Sequence, residues 1–542
     1  MFCIWSVFLE FDYVVVGAGS AGCAVAGRLS ENGKYKVAVI EAGGKDTNPW
    51  IHIPVGYFKT MDNPNTDWRY KTENDPGING RSIPWPRGKV LGGSSSINGL
   101  LYVRGQAEDY EHWRQLGNEG WAWKDVLPYF KRAETWGGDE TTEDRGKSGP
   151  LSVSPTRLKR DVVDKWIDAA VAAGYKKNSD YNSGDQEGVG YFQLTMIDGK
   201  RCSSAVAYLK PARNRENLEI ITKHQVEKVI IENGKAVGVS TYLGNKNVII
   251  KARKEVILSA GAIGSPQILM LSGIGAGEEL SKVGIETKVD LKGVGKNLQD
   301  HLQARPVFKT DLSTINVEIN NIFKQGFIAL EYALKRSGPM AMAASLGTGF
   351  LKTDPDLETP DIQFHIQPFS ATKPADGPHK FSAFTASVLQ MRPESAGHLQ
   401  LKSSDYRDHP EIHPNYLATQ LDQDTIVKGI QIARKIAQFE PLKSHIIEEF
   451  APGREVEFDD YEGTLDWARE TSVTIYHPTG TCKMGPDSDK MSVVDARLRV
   501  KGVEGLRVAD ASIMPQIMSG NTNAPCIMIG EKVSDMILED AG

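Results

Sequence analysis

A glycine-rich turn near the N-terminus limits what this chain can fold into. The stretch "DYVVVGAGSAGCAVAGRL" places Gly17, Gly19 and Gly22 in the spacing G-x-G-x-x-G, between an apolar strand-like run and a helical apolar pattern. A second apolar run follows at residues 37–40 and ends at Glu41. This order of strand, helix and strand predicts a βαβ unit, the building block of a parallel sheet.

The same pattern predicts a dinucleotide site. Without side chains, the backbone at Gly17 and Gly19 can approach a pyrophosphate that sits at a helix N-terminus. Glu41 follows about twenty residues later, where a carboxylate can bind the ribose hydroxyls. The pattern does not distinguish FAD from NAD, and a tight turn without a ligand is the alternative.

Length and charge narrow the class of protein. With 542 residues the chain exceeds the size of one hydrophobic core, so we expect two domains or one interleaved pair. The net charge of -6, without a long basic run, disfavours nucleic acid as a partner. Its five cysteines are too few and too scattered for a disulfide framework, which favours a reducing, cytoplasmic compartment.

The first ten residues, "MFCIWSVFLE", are apolar but lack the basic start and the small-residue cleavage site of a signal peptide. We interpret them as an extension that is not cleaved. A peripheral contact with the inner face of a membrane is the alternative.

Several later stretches carry a resemblance to a known family. They are "PRGKVLGGSSSINGLLYVRG", "SAGAIGSPQILMLSGIG", "GLRVADAS", "YHPTGTCKMG" and "SGNTNAPCIMIGEK". In this order, and over most of the chain, they resemble the glucose-methanol-choline (GMC) oxidoreductases, flavoproteins that oxidise alcohols. Within that family the chain looks most like bacterial FAD-dependent alcohol dehydrogenases of the alkane pathway, followed by choline dehydrogenase.

The resemblance implies an α/β fold, α+β overall. A Rossmann-like FAD-binding domain is interleaved with a substrate domain built on a mainly antiparallel sheet with helices. We assign residues 1–155, 200–310 and 480–542 to the FAD-binding domain. Residues 156–199 and 311–479 are assigned to the substrate domain.

FAD contacts are expected from the glycine pattern and the resemblance together. They fall on Gly17, Gly19, Ser20, Ala21, Gly22, Glu41, Arg87, Gly88, Gly93, Asn98, Val226, Ala260, Asp510, Ala511 and Asn523. Some members of the family bind the flavin covalently through a histidine just before the asparagine of the glycine-rich loop. Here Ile97 occupies that position, so non-covalent FAD is expected.

His477 matches the catalytic histidine of the family. An alcohol loses a proton from oxygen and a hydride from carbon; the flavin takes the hydride at N5, and a neutral histidine can act as the general base. A buried structural histidine is one alternative. A metal site with Cys482 is another, but it would need two more ligands that the neighbouring sequence does not offer, so no metal is expected.

Asn523 matches the second active-site position of the family, with a local helix-capping role as its alternative and Asn521 as the less favoured residue. A C-terminal helix is expected to begin near Pro525. In the family the positive N-terminus of this helix points at the pyrimidine ring of the flavin, where it stabilises negative charge.

Two further histidines lie in motifs that can be interpreted. His365, in "DIQFHIQPF", is expected to line the substrate pocket, and a buried, hydrogen-bonded histidine is the alternative. His301, in "NLQDH", is assigned to the loop that leaves the flavin domain.

The predicted function is oxidation of a primary alcohol to the aldehyde, with electrons passed to a quinone or another carrier. Neutral alcohols are preferred over choline-like cations and over hydroxy acids. The alternatives are a choline dehydrogenase, an alcohol oxidase that uses oxygen and, more remotely, a non-catalytic or light-driven flavoprotein. An NAD-dependent dehydrogenase is disfavoured because the later flavin segments would have no purpose. The oligomeric state is not predicted.

Overall fold

The computed structural model describes residues 9–139, 143–319, 322–372 and 377–542. The proposed membrane contact falls on the first residues, of which 1–8 lie outside this range. Within the described residues, no helix has both the length and the apolar character that crossing a bilayer requires.

The strands are numbered in chain order. They are β1 Leu9–Val16, β2 Val37–Glu41, β3 Tyr70–Lys71, β4 Pro84–Trp85, β5 Glu134–Trp136, β6 Leu151–Pro155, β7 Gly188–Tyr191, β8 Gln193–Leu194, β9 Met196–Ile197, β10 Lys200–Arg201, β11 Leu218–Thr222, β12 Gln225–Glu232, β13 Lys235–Leu243, β14 Lys246–Leu258, β15 Ile274–Gly275, β16 Val289–Asp290, β17 Leu302–Ala304, β18 Val307–Thr310, β19 Gly347–Leu351, β20 Ile362–Gln367, β21 Ala383–Gln390, β22 His398–Gln400, β23 Glu411–His413, β24 Ile446–Ala451, β25 Val473–Thr474 and β26 Leu506–Val508.

The α-helices are numbered in the same way. They are α1 Ser20–Leu29, α2 Pro49–His52, α3 Tyr57–Thr60, α4 Ala107–Gln115, α5 Trp123–Ala133, α6 Asp161–Ala172, α7 Lys210–Ala212, α8 Gly261–Leu271, α9 Gly277–Lys282, α10 Ile315–Ile319, α11 Ile322–Lys335, α12 Gln420–Ile436, α13 Tyr461–Thr471 and α14 Asn523–Asp540.

The first sheet confirms the predicted βαβ unit. Seven of the described strands form it in the order β11-β2-β1-β14-β13-β12, and β26 also pairs with β14. The strands β11, β2, β1, β14 and β26 are parallel, and β12 to β14 form an antiparallel meander. The central strands are apolar on both faces because helices cover them.

The last helix, α14, packs against the first helix, α1. Gly530 allows this close approach, because a Cβ there would lie 2.5 Å from the carbonyl oxygen of Ala21. α14 begins at Asn523, close to the predicted start. The N-terminal βαβ unit is therefore completed by the far end of the chain.

The second sheet is antiparallel, as expected. Eight described strands form it: β24-β18-β21-β20-β19-β7 in order, with β17 joining β21 to β25. Its central strand β20 reads "IQFHIQ", and side chains alternate between the two faces of a strand. Phe364 packs against Trp166 of α6, with 5.7 Å between the ring centroids. Gln363, His365 and Gln367 therefore share the opposite face.

The two sheets are interleaved along the chain, in agreement with the predicted fold class. Strands β17 and β18, at residues 302–310, belong to the second sheet, although the proposed boundary of the FAD-binding domain lies at residue 310. Sheet membership therefore favours a change of domain before β17. The other proposed boundaries remain predictions.

A buried carboxylate connects three segments of the first domain. The side chain of Glu531 on α14 is fully buried and accepts hydrogen bonds from Arg28 of α1 at 2.9 Å, Arg132 of α5 at 2.6 Å and Tyr208 at 2.6 Å. Every one of these partners is remote from Glu531 in sequence. Loss of the carboxylate would leave two partly buried guanidinium groups without their shared acceptor.

We predict that Glu531→Ala lowers the free energy of unfolding by about 3–5 kcal/mol, the usual result of removing one partner from a buried ion pair. Asp535→Ala is the matched control, since Asp535 also binds Arg132 but is one-third exposed. This control should cost no more than about 1 kcal/mol. Thermal and urea denaturation of the holoenzyme measure both; equal losses in the two variants would contradict the structural role given to Glu531.

Candidate active site

The turn between β1 and α1 depends on glycine. Gly17 has a positive φ of 97°, and a Cβ at this position would lie 2.5 Å from the carbonyl oxygen of Ser259, at the end of β14. A Cβ at Gly22 would lie 1.9 Å from the carbonyl oxygen of Gly17. These two glycines therefore allow the turn to pack against β14 and α1 to pack against the turn.

A second glycine loop closes over the first. Gly93 has a φ of 53°, and a Cβ there would lie 2.7 Å from the Cα of Gly19. Gly88 in turn packs against Gly93, with a Cβ position 2.1 Å from its carbonyl carbon. Around Gly19 itself there is space, because the nearest atom to its Cβ position is 3.8 Å away.

Both loops open into one cavity of about 730 Å³. Most of the predicted cofactor residues line it, namely Gly17, Gly19, Ser20, Ala21, Glu41, Arg87, Gly88, Gly93, Asn98, Val226, Ala260, Asp510, Ala511 and Asn523. Gly22 is not part of the lining, since it serves the packing of α1. The size of the cavity and its bare backbone suit a dinucleotide.

Glu41 ends β2 at the cavity wall and is 5% exposed. One carboxylate oxygen accepts a hydrogen bond from the Ala18 amide at 3.1 Å, and the other accepts one from the Gly43 amide at 2.8 Å. Burial raises the pKa of Glu41 to about 7, and these two hydrogen bonds oppose the rise. The carboxylate is thus held rigidly where a ribose hydroxyl could donate to it.

Asp510 follows β26 and is bonded on both oxygens. One accepts hydrogen bonds from the Gly261 amide at 2.9 Å and the Ser265 hydroxyl at 2.6 Å, and the other accepts from the amide and hydroxyl of Ser512. Burial raises the pKa of the carboxyl group, against these hydrogen bonds. Asp510 therefore positions the start of α8 at the cavity.

Arg87 and Asn98 order the wall near the predicted base. The Arg87 guanidinium donates to the carbonyl oxygen of Tyr476 at 2.5 Å. Asn98 accepts a hydrogen bond at 2.6 Å from Arg201, a fully buried cation whose pKa is lowered to about 9 by burial. These bonds anchor the residue that precedes His477 and the glycine-rich loop opposite it.

His477 lies just after β25 and is 8% exposed. Its backbone amide donates to the Asp300 carboxylate at 2.7 Å. Burial shifts the pKa of His477 well below its ordinary value, and the nearby His301, His365 and Arg87 shift it in the same direction. The imidazole is therefore neutral near pH 7.

Hydrogen bonds fix which nitrogen of His477 carries the proton. Nε2 of His301 lies 2.7 Å from the Met391 carbonyl oxygen, which can only accept, so this nitrogen must be the donor. Nδ1 of neutral His301 is then an acceptor, and it lies 3.0 Å from Nδ1 of His477, which must donate. Nε2 of His477 is left with its lone pair, 3.2 Å from the amide nitrogen of Asn521.

The structure places Asn521, and not the predicted Asn523, beside His477. Asn523 is the first residue of α14 and accepts a hydrogen bond from the Ser20 hydroxyl at 2.8 Å. It therefore connects the starts of α14 and α1 at the cavity wall. Asn521, two residues earlier in the loop, accepts a hydrogen bond from Gln363 at 3.3 Å and presents its amide nitrogen to His477.

His365 lines the cavity from β20 and is 5% exposed. Burial lowers its pKa to about 3, so the ring is neutral. Within the described part of the chain, its Nε2 has no hydrogen-bond partner. The alternative expected from sequence, a buried histidine with both ring nitrogens hydrogen-bonded, therefore does not describe His365.

Of the residues around His477, His301 was not assigned to the site by sequence, and Asn521 was the less favoured candidate. His301 is 176 positions from His477, and no local pattern connects the two. Cys482 is fully buried and hydrophobic in its surroundings. In the described segments, no group of three His, Cys, Asp or Glu residues is arranged to bind a metal ion.

Comparison with known proteins places the chain in a family. The N-terminal GMC oxidoreductase domain matches residues 11–303, and the C-terminal domain matches residues 393–530. The chain is 42% identical over 532 residues to an oxygen-dependent choline dehydrogenase of Rhizobium rhizogenes, covering 98% of this chain and 96% of the relative. A protein of the same name from Brucella suis is 43% identical over 536 residues, with the same two coverages.

Comparison with solved structures agrees with this assignment. Pyridoxine 4-oxidase from Mesorbium loti superposes with a TM-score of 0.87 at 30% identity, covering 97% of this chain and 98% of that one. A formate oxidase superposes with a TM-score of 0.91 at 29% identity, covering 98% and 99%. The glycine cradle, the buried histidine and these matches lead to one conclusion: the chain belongs to the GMC oxidoreductase family.

Proposed function

We propose that this oxidoreductase, which acts on CH–OH donors, removes the hydroxyl proton of an alcohol with His477 and converts the alcohol to the carbonyl compound. The observation that carries the proposal is the lone pair of His477 Nε2, held at the wall of the cavity that also contains the glycine cradle. A neutral imidazole in this state is ready to accept a proton.

FAD is the cofactor, as predicted and as in the GMC family. The cradle of Gly17, Gly19 and Gly93 leaves room for its pyrophosphate, and Glu41 lies where its ribose would bind. FAD supplies the acceptor for the hydride that leaves the carbinol carbon. Ile97 lines the cavity where a covalent histidine would stand, so we propose that the flavin is held without a covalent bond.

The residues around His477 determine where the proton goes. Once Nε2 takes the hydroxyl proton, the imidazolium still donates from Nδ1 to His301, which in turn donates to the Met391 carbonyl oxygen. The positive charge is thereby shared along a chain of hydrogen bonds inside a buried site. The amide nitrogen of Asn521, 3.2 Å from Nε2 of His477, lies beside the position that the substrate hydroxyl would take, and one of its two N–H groups could donate to the oxygen of the substrate.

Choline is the second candidate substrate. The support for it is the printed name of the relatives, which are 42–43% identical along the whole chain. These names favour choline over the generic primary alcohol that the sequence suggested. Choline is itself a primary alcohol, so the proposed reaction, oxidation of a primary alcohol to the aldehyde, is the same for both candidates.

Oxygen competes with a quinone as the electron acceptor. The relatives are named oxygen-dependent, and two of the solved neighbours are oxidases, which favours oxygen. The carrier predicted from sequence is the alternative. Stopped-flow reoxidation of the reduced enzyme distinguishes them. We expect oxygen at its concentration in air-saturated buffer to reoxidise the flavin faster than a soluble quinone does. The reverse order would favour the quinone as the electron acceptor.

We predict that His477→Ala lowers the rate of anaerobic flavin reduction by about 10²–10⁴, the range for a lost general base. FAD should stay bound, because the cradle does not include the imidazole. Rapid mixing of the holoenzyme with an alcohol, followed at the flavin absorbance, measures the rate.

His413→Ala is the matched control for this variant, since His413 is a histidine outside the cavity. It should reduce at the wild-type rate. Acid precipitation should release FAD from all three proteins into the supernatant. A His477→Ala protein that has lost its flavin, or that reduces normally, would mean that His477 is not the base.

We also predict an unusually acidic pH limit for flavin reduction. Only neutral His477 can accept the proton, and burial moves the pKa of this group below 6.5, so protonation stops the reaction only at a lower pH. The reduction rate should stay constant from pH 8 to below 6.5 and then fall. Retained flavin absorbance controls for unfolding, and a fall centred above pH 6.5 would contradict a buried, neutral base.

A further inference from the structure

One cation in the cavity wall has no counter-ion among the described residues. Arg305 lies between β17 and β18, and within those residues no Asp or Glu comes within 4.0 Å of its guanidinium group. The ionisable groups that interact with Arg305 are Tyr476 and Tyr57. Burial raises the pKa of both tyrosines, so both are neutral phenols at pH 7. A partly buried arginine stays charged, so the described part of this wall carries a positive charge without a carboxylate partner.

Arg305 begins a directed chain of hydrogen bonds along β20. It donates to the Gln367 side-chain oxygen at 3.3 Å, and the Gln367 amide nitrogen lies 3.4 Å from the Ser345 hydroxyl, to which it donates. The Ser345 hydroxyl is buried, and among the described residues Nδ1 of His365, at 3.4 Å, is its only acceptor, so Ser345 donates its proton there. His365 therefore carries its proton on Nε2, the nitrogen that has no partner.

Arg305 and His365 thus form a patch in which both residues offer hydrogen-bond donors. The guanidinium of Arg305 and the Nε2–H of His365 are both oriented by their neighbours, and both belong to residues that line the cavity. Buried donors need acceptors, and a guanidinium group matches the planar fork of a carboxylate. The unpartnered Nε2 of His365 and the unpaired Arg305 point independently to an anionic oxygen ligand.

We propose that Arg305, together with His365, is the specificity-determining group of this enzyme and selects alcohols that carry a carboxylate, that is, short hydroxy acids. The proposal rests on the proposed function, because it concerns the substrate of the same site. It reverses the order of preference expected from the sequence, where neutral alcohols came first.

The geometry fits one molecule that spans both groups. Residues 365 and 367 are two positions apart on β20, so the patch extends about 6–7 Å along the strand from the neighbourhood of His477. In the proposed binding mode, the hydroxyl group of a short hydroxy acid lies at His477 and its carboxylate lies at Arg305. A trimethylammonium group in this position would face an unpaired cation, which disfavours choline.

The reaction conserves the carboxylate. The hydroxy acid HO–CH2–R–COO⁻ loses the hydroxyl proton to Nε2 of His477, and the carbinol carbon loses a hydride, with its two electrons, to FAD. The product is the oxo acid OHC–R–COO⁻. The terminal acceptor then takes the two electrons.

The first test compares kcat/KM of the FAD holoenzyme for 4-hydroxybutanoate, 1-butanol and choline with an artificial electron acceptor. We expect 4-hydroxybutanoate to exceed each of the others by at least about tenfold, as charged hydrogen bonds to a substrate provide. A wild-type preference for 1-butanol or choline would overturn the proposal, whatever the variants do.

Variants then test Arg305 directly. Arg305→Met should lower kcat/KM for 4-hydroxybutanoate by about tenfold to hundredfold and change that for 1-butanol less than about threefold. Arg305→Lys keeps the positive charge but loses the planar guanidinium group, so its kcat/KM for 4-hydroxybutanoate should lie between those of wild type and Arg305→Met. Lys309→Met is the control, since Lys309 is a cation on β18 that pairs with Glu448 outside the cavity. Equal losses for both substrates would mean that Arg305 is structural.

A binding measurement separates this proposal from the proposed function. Calorimetric titration of the holoenzyme with butanoate, which cannot be oxidised, should give binding that weakens at least about tenfold in Arg305→Met and is unchanged in Lys309→Met. If no alcohol reduces the flavin, the proposed function fails, but butanoate still reports on Arg305. Butanoate that binds equally to wild type and Arg305→Met would refute the carboxylate site.

Discussion

The close approach of backbone segments at the β1–α1 turn is the constraint on which the rest of the structure depends. Gly17 touches the end of β14, Gly22 touches Gly17, and Gly93 of a second loop touches Gly19. A methyl group at any of the three contact positions would overlap backbone atoms, which cannot move aside as a side-chain end can. Because these segments meet so closely, the cavity between them has a backbone wall, and the groups that surround it are brought to fixed positions.

The chemistry of the cavity depends on the direction of its hydrogen bonds. The Met391 carbonyl oxygen sets the tautomer of His301, which sets that of His477, and the result is a basic nitrogen facing the cavity. On β20 a similar chain ends in a donor at His365. The two imidazoles therefore have opposite roles although both are buried and neutral, and the difference comes entirely from their neighbours.

Sequence predicted the parts of the site that local patterns encode. The βαβ unit, Glu41 at the end of β2 and the antiparallel second sheet follow from glycine spacing, strand periodicity and family resemblance, and the structure agrees with them. In "NTN", by contrast, two asparagines compete, and only the start of α14 decides that Asn521 meets His477 while Asn523 meets Ser20. The alternation of "IQFHIQ" was available as a signal that Gln363, His365 and Gln367 share a face. Arg305 had no such signal, because the lack of a carboxylate beside it, among the residues that the structure describes, depends on which strands become neighbours.

The contribution of the C-terminus to the first domain has a consequence for how the protein is made. Glu531 binds Arg28 across 503 positions of sequence, and β26 and α14 complete the sheet and the cavity wall begun by β1 and α1. At about 5–20 residues per second, a ribosome needs roughly 30–110 s to reach this segment. During that interval the apolar surfaces of β1 and α1 lack their final partners, which leaves them open to aggregation. The complete wall of the cavity exists only once β26 and α14 have been made, so binding of FAD to the finished site follows the synthesis of these last elements.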